Sequence, residues 1–96
     1  MKIHFNVDPN FLGAEKPGEL AVSTYAQMYE IIDHSLSKMK SEEEFSSVEE
    51  SYGMMADYLS EIKPWELSSD FRMMRDLYVN LISESLQNLK ERNSND

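Results

Sequence analysis

Residues 41–64 read SEEEFSSVEESYGMMADYLSEIKP, and this stretch decides the fold. Phe45, Val48, Tyr52, Met55, Leu59 and Ile62 recur at intervals of three and four residues. An α-helix turns by about 100° per residue, so these six form a narrow apolar seam along one side, the pattern of helices that pack lengthwise. Ser41 with Glu44 forms a capping box, and Glu42, Glu43 and Glu44 place carboxylates at the positive end of the helix dipole. Gly53 weakens the helix by about 1 kcal/mol relative to alanine. Lys63-Pro64 ends it, because the residue before proline is biased away from helical dihedrals. The stretch predicts a helix over 41–62 whose seam needs other helices to cover it.

Both neighbours in the chain supply one. Over 19–40, Val22, Tyr25, Met28, Tyr29, Ile32, Leu36 and Met39 fall within an arc of about 120°. Lys38 and Lys40 sit at the end of this segment, where cations suit the dipole. Over 68–90, Ser68, Ser69 and Asp70 offer N-caps, followed by Phe71, Met74, Leu77, Tyr78, Leu81, Ile82, Leu86 and Leu89. This last set covers about 180°, wider than one neighbouring helix requires. Three helices with short connections give an all-α, up-down-up bundle in one domain spanning 1–96. Its core should include Tyr25, Ile32, Leu36, Phe45, Val48, Tyr52, Leu59, Leu77, Leu81 and Leu89.

The two ends read differently. Ile3, Phe5 and Val7 alternate with Lys2, His4, Asn6 and Asp8, as in a half-buried strand, yet no second strand pattern follows. Residues 1–18 are therefore expected to form an extended N-terminal arm and loop, with a single β-strand at most. The turn signals Asp8-Pro9-Asn10 and Lys16-Pro17-Gly18 support the loop. Residues 91–96 read as a frayed polar tail. The surplus apolar width of the third helix would accept the arm, a second subunit in a homodimer, or a partner.

Composition narrows the range of functions. The chain has 96 residues, 41% hydrophobic and 28% charged, which is ordinary for one folded domain with a modest core. Eighteen acidic against nine basic residues leave a charge of −9. Such a balance opposes direct contact with nucleic acid or an anionic membrane and favours encounter with basic proteins. The absence of cysteine removes disulfide frameworks and thiolate metal sites. The first residues lack the apolar run of a signal peptide, and no stretch approaches 18 apolar residues, so the expectation is a cytoplasmic protein.

The sequence carries little that resembles a catalytic or ligand motif. Glu30, Asp33 and His34 form the one ligand-like cluster, and its plain explanation is a solvated helix face with an i, i+4 pair. The paired Glu-x-x-His pattern of di-iron bundles is absent, as are a nucleophile elbow, a phosphate-cradling loop and a zinc-protease helix. We therefore expect no enzyme, no cofactor and no metal. Arg72 and Arg75 open the third helix, but Asp70 and Asp76 flank them, which suits surface pairing better than DNA reading.

The unusual feature is the placement of charge. Residues 41–62 hold seven carboxylates and no lysine or arginine. Glu43, Glu50, Asp57 and Glu61 lie within about 40° of one another on the helix, nearly opposite the seam, in a row about 27 Å long. Met54 and Tyr58 border that row. Methionine and aromatic anchors inside a charged rim suit a protein-binding face, although a charge run on a helix is often no more than its wet side. The six residues form the expected partner-binding set.

Two functions fit these features. The first is a small acidic inhibitor whose carboxylates replace phosphates on a basic, nucleic-acid-handling surface such as that of a nuclease. By size, charge and architecture it is similar to phage anti-defence proteins, including anti-CRISPR and anti-restriction proteins, and to immunity proteins against nuclease toxins. The second is a chaperone or assembly factor that sequesters an amphipathic segment of a client on the third helix, using Met73, Leu77 and Ile82. The stretch from Met54 through Leu77-Tyr78 to Asn88 loosely resembles the later helices of flagellar export chaperones, without a distinctive motif.

Overall fold

The computed structural model describes residues 16–94, with side chains through Arg92. Three α-helices make an all-α bundle: α1 (Pro17–Ser35), α2 (Glu42–Glu61) and α3 (Ser69–Ser94). A short 3₁₀ turn, Leu36–Lys38, follows α1, and a second, Pro64–Glu66, precedes α3. The alternating segment expected as an arm or strand at 1–8 lies outside the described residues.

The contacts along the chain fix the topology. Tyr25 meets Tyr58 and Tyr29 meets Tyr52, so α1 and α2 run antiparallel. Arg75 reaches Leu59 and Ile62 while Arg92 covers Phe45, so α2 and α3 are antiparallel as well. Glu19 meets Ser68 and Tyr29 meets Ser85, which makes α1 and α3 parallel. The order is up-down-up. The most extensive packing is between α2 and α3, with α1 laid against both.

Each boundary has a local cause. Pro17 opens α1 where a missing N–H is harmless, and Glu19 accepts a hydrogen bond from the Lys16 backbone N–H at 3.2 Å. The helix thus starts two residues before the expected position and ends earlier, passing into the 3₁₀ turn after Ser35. Met39 is nevertheless buried beyond that turn. The Ser41 hydroxyl accepts from the Glu44 N–H at 3.1 Å and donates to its carboxylate at 3.0 Å, a compact variant of the expected box. Ile62 and Lys63 take extended dihedrals ahead of Pro64. α3 continues to Ser94, so the expected frayed tail at 91–96 is helical over its first four residues.

The α2 seam is buried throughout: Phe45, Val48, Tyr52, Met55, Leu59 and Ile62 form the centre of the core with Val22, Tyr29, Ile32, Phe71, Ile82 and Leu89. Tyr25, Leu36 and Leu81 are partly buried and pack against it. Leu77 departs from expectation, with 55% of its surface exposed. It lies about 120° around α3 from Phe71 and Leu89, beyond the arc that α1 and α2 together cover.

Two features hold the end where α1 begins against the turn before α3. Gly18 sits so close to Ile62 and Glu66 that a Cβ there would come within 3.0–3.1 Å of the Ile62 side chain and the Glu66 carbonyl. Glu19, 3% exposed, bonds the Ser68 N–H. Arg75 closes the other side of this end, donating to the carbonyls of Leu59 and Ile62 at 3.1 and 3.0 Å and pairing with Asp76 at 2.7 Å. The Leu59 carbonyl otherwise has only a long bond from the Ile62 N–H at 3.4 Å, and the Ile62 carbonyl, just past α2, would depend on water.

A candidate protein-binding face on α2

Because the seam turns one side of α2 inward, the opposite side is committed to solvent. Glu43, Glu50, Asp57 and Glu61 are all exposed there. Glu44 and Glu49 are only partly so. α2 carries no basic residue, and Arg75, the cation that reaches its C-terminal end, is engaged by backbone carbonyls and by Asp76.

Met54 and Tyr58 are 56% and 50% exposed beside this row. Tyr58 does not hang free. Its ring meets Tyr25 of α1 edge to face, with centroids 5.3 Å apart, an arrangement that limits the rotamers it would lose on binding. All six expected residues are exposed on one side of α2, and Tyr25, partly buried against the core, adjoins them.

A second aromatic group lies deeper. Tyr29 packs against Tyr52 at 5.4 Å and against Tyr78 at 5.9 Å. Tyr29 and Ser85 share a hydrogen bond at 3.0 Å, and the Tyr78 hydroxyl donates to Glu30 at 3.0 Å. Burial raises the Tyr29 hydroxyl above its ordinary pKa, reinforced by Asp33, Glu30 and Glu84 and opposed by the Ser85 bond. Burial likewise pushes Tyr78 up to about 12, with the Glu30 carboxylate holding its proton in place. Tyr52 is raised by burial first and then by Asp33; its hydroxyl is wholly enclosed, with no hydrogen-bond partner among the described residues. Tyr29 and Tyr52 are packing groups, too enclosed to act on a partner directly, while Tyr78 is partly exposed.

The remaining candidates resolve into structural roles. Glu30 is engaged by Tyr78, while Asp33 and His34 are exposed. Among the described residues no three histidine, aspartate or glutamate side chains converge on a metal position. Arg72 donates to the Leu67 carbonyl at 3.2 Å. With Arg75 it secures the approach to α3. An open groove of about 780 Å³ lies between the end of α2 and α3, lined by Glu61, Lys63, Arg75, Asp76 and Asn80 among others. Its charges balance, so it offers no marked preference for an ion. Trp65, 72% exposed on the turn before α3, is a large apolar group that sequence reasoning left unassigned.

No described helix is long and apolar enough to cross a membrane. No protein family, curated protein or solved structure matches the chain.

Proposed function

We propose that this protein is a binding inhibitor that lays the acidic side of α2 over a basic, nucleic-acid-handling surface of a target protein. The observation that carries the reading is the exposed row Glu43, Glu50, Asp57 and Glu61, borne on a helix without a single cation and rooted in a fully buried seam. The carboxylates take the places of phosphates at lysine and arginine side chains. Met54 and Tyr58 add apolar contact, with Tyr58 already held by Tyr25. Blocking is by occupation: the target's nucleic acid and this face compete for the same charges. A phage anti-defence or toxin-immunity role is the biological setting that such chemistry suits.

A second reading has its own support. Met73 and Leu77 are 72% and 55% exposed on α3, an apolar pair four residues apart that an amphipathic client segment would cover. Ile82, expected on that surface, is fully buried and cannot contribute. The client surface is thus narrower than the 180° arc implied.

Recovery of partners from lysate at low and high salt, with the wild type, Glu50→Lys/Asp57→Lys and Met73→Ser/Leu77→Ser, separates the two. The inhibitor reading expects a nucleic-acid-handling protein that is lost with salt and with the double lysine variant, and whose DNA or RNA binding the wild type blocks. A partner that tolerates the lysines and is lost with the serines establishes the client reading in its place.

A further inference from the structure

The surface beside the acidic row continues across the seam between α1 and α2, and it is uncharged. Leu20 to Tyr29 contains no aspartate, glutamate, lysine or arginine, in a chain that is 28% charged. The edge-to-face contact of Tyr25 with Tyr58 fixes which flank of α1 adjoins which flank of α2. On that flank of α1, Met28 and Ile31 follow Tyr25 around the helix, all three partly exposed. Across from them stand the more exposed Met54 and Tyr58. The molecule thus presents an apolar strip formed by two helices, running lengthwise, with a carboxylate row parallel to it on the α2 side.

From this juxtaposition we infer that the element of the target seated here is a cationic amphipathic helix, its apolar side on Tyr25, Met28, Ile31, Met54 and Tyr58 and its lysines or arginines toward Glu50, Asp57 and Glu61. Charge complementarity selects this occupant, because the strip is bordered along its length by negative charge alone on α2. A shallow groove between two helices accepts a third helix by the same ridge packing that joins the first two. A methionine on each helix adapts to side chains of different shape. The inference rests on the acidic-face reading and adds to it the form of the element recognised.

Two synthetic peptides of identical lysine and leucine content test it, one arranged at helical spacing and one scrambled so that no apolar side forms. Each is titrated into the isotope-labelled full chain while amide resonances are followed. We expect the amphipathic peptide to bind on the order of tenfold more tightly than the scrambled one. Its shifts should fall on both residues 21–31 and 54–58. Ile31→Gln with Met54→Gln, which leave the charge unchanged, should remove that preference. Equal affinities, with shifts confined to the carboxylate row, would overturn this inference and leave the acidic-face reading standing. Binding of both peptides undiminished by Glu50→Lys/Asp57→Lys would overturn both. Shifts along the strip on concentrating the protein alone would assign it to a second copy of the chain. A gain in peptide affinity on Phe5→Asp would assign it to the chain's own N-terminal segment. Either of these results also overturns the proposal.

Discussion

The carboxylate of Glu19 accepts a hydrogen bond from the backbone N–H of Ser68 at 2.8 Å, across 49 residues of sequence, and it does so almost wholly buried. Its other oxygen accepts from the Lys16 N–H at 3.2 Å. One side chain therefore serves the first turn of α1 and the approach to α3 together. Glu19→Ala removes two part-buried bonds from backbone donors to a charged acceptor and is expected to cost about 1.5–3 kcal/mol, the range for hydrogen bonds to charged groups. Glu19→Gln keeps the shape and one acceptor oxygen, and should lose less. Thermal or denaturant unfolding of the two variants checks the order. Equal stability of Glu19→Ala and the wild type would show that the contact is not maintained.

The glycines divide in sign. Gly18→Ala drives a methyl to within about 3 Å of the Glu66 carbonyl and the Ile62 side chain, so the two segments must separate. A loss of about 1–3 kcal/mol is expected, as for other overpacked sites. Around Gly53 an added Cβ meets nothing within 4 Å, and the residue lies inside α2. Gly53→Ala should therefore raise stability by about 0.5–1 kcal/mol through helix propensity. Denaturant midpoints at unchanged m-value decide both.

What the sequence made legible was the side of each helix that is apolar by repetition. The seam of α2 needed nothing beyond a count of three and four, and all six of its residues are buried. Leu77 is exposed against expectation because an apolar arc of 180° contains no information about where neighbouring helices stop. Glu19 stands at the expected start of the first helix; its burial depends on Ser68, a partner that local spacing does not reveal. The spacing of Arg75 and Asp76 reveals one half of a surface pair. Arg75 does pair with Asp76, and the rest of its guanidinium closes the end of α2 through contacts with residues 13 and 16 positions away. The acidic row was visible because it requires only one helix. The uncharged strip beside it was not, because it exists only once α1 and α2 are placed together.

Tyr52 and Tyr29 should respond oppositely to loss of their hydroxyls. The Tyr52 hydroxyl is enclosed with no partner among the described residues, so Tyr52→Phe removes a desolvated polar atom. Stability should stay level or rise by up to about 1 kcal/mol. Tyr29→Phe breaks the bond to Ser85 and is expected to cost about 0.5–1.5 kcal/mol. A marked loss in Tyr52→Phe would mean that this hydroxyl is bonded in solution.

Alkaline pH should unfold the protein through its tyrosines. Burial, aided by neighbouring carboxylates, raises Tyr29, Tyr52 and Tyr78, the last to about 12. In the unfolded chain these groups lose their protons near the ordinary value of about 10. Above that pH the folded state binds more protons than the unfolded one, so stability falls as pH rises. The stabilisation is complete below about pH 10 and is lost as pH climbs through the raised folded values. Helical circular dichroism and tyrosinate absorbance, followed together, should show part of the ionisation coinciding with unfolding. Full tyrosine ionisation while the helices persist would show that the cluster is more open than its packing indicates.

The acidic row should weaken the free protein that carries it. Glu43, Glu50, Asp57 and Glu61 stand on one side of α2 at separations of seven, seven and four residues, with no cation on the helix to offset them. Like charges four apart on a helix repel by a few tenths of a kcal/mol, and the −9 charge of the whole chain adds to this. Asp57→Lys creates an attractive contact with Glu61 in place of a repulsive one, and Glu50→Lys breaks the row at its middle. Together they should raise the stability of the isolated protein by about 0.5–1 kcal/mol at low ionic strength. Added salt screens exposed charges, so the gain should shrink as rising ionic strength shortens the Debye length to about 8 Å and below. The same pair of substitutions is the one expected to abolish partner binding. Measured side by side, a more stable protein that no longer binds separates loss of a recognition face from loss of fold. A double lysine variant less stable than the wild type at low salt would mean that the row is held by cations from elsewhere in the chain. The wild type would then be stabilised, not strained, by its acidic side.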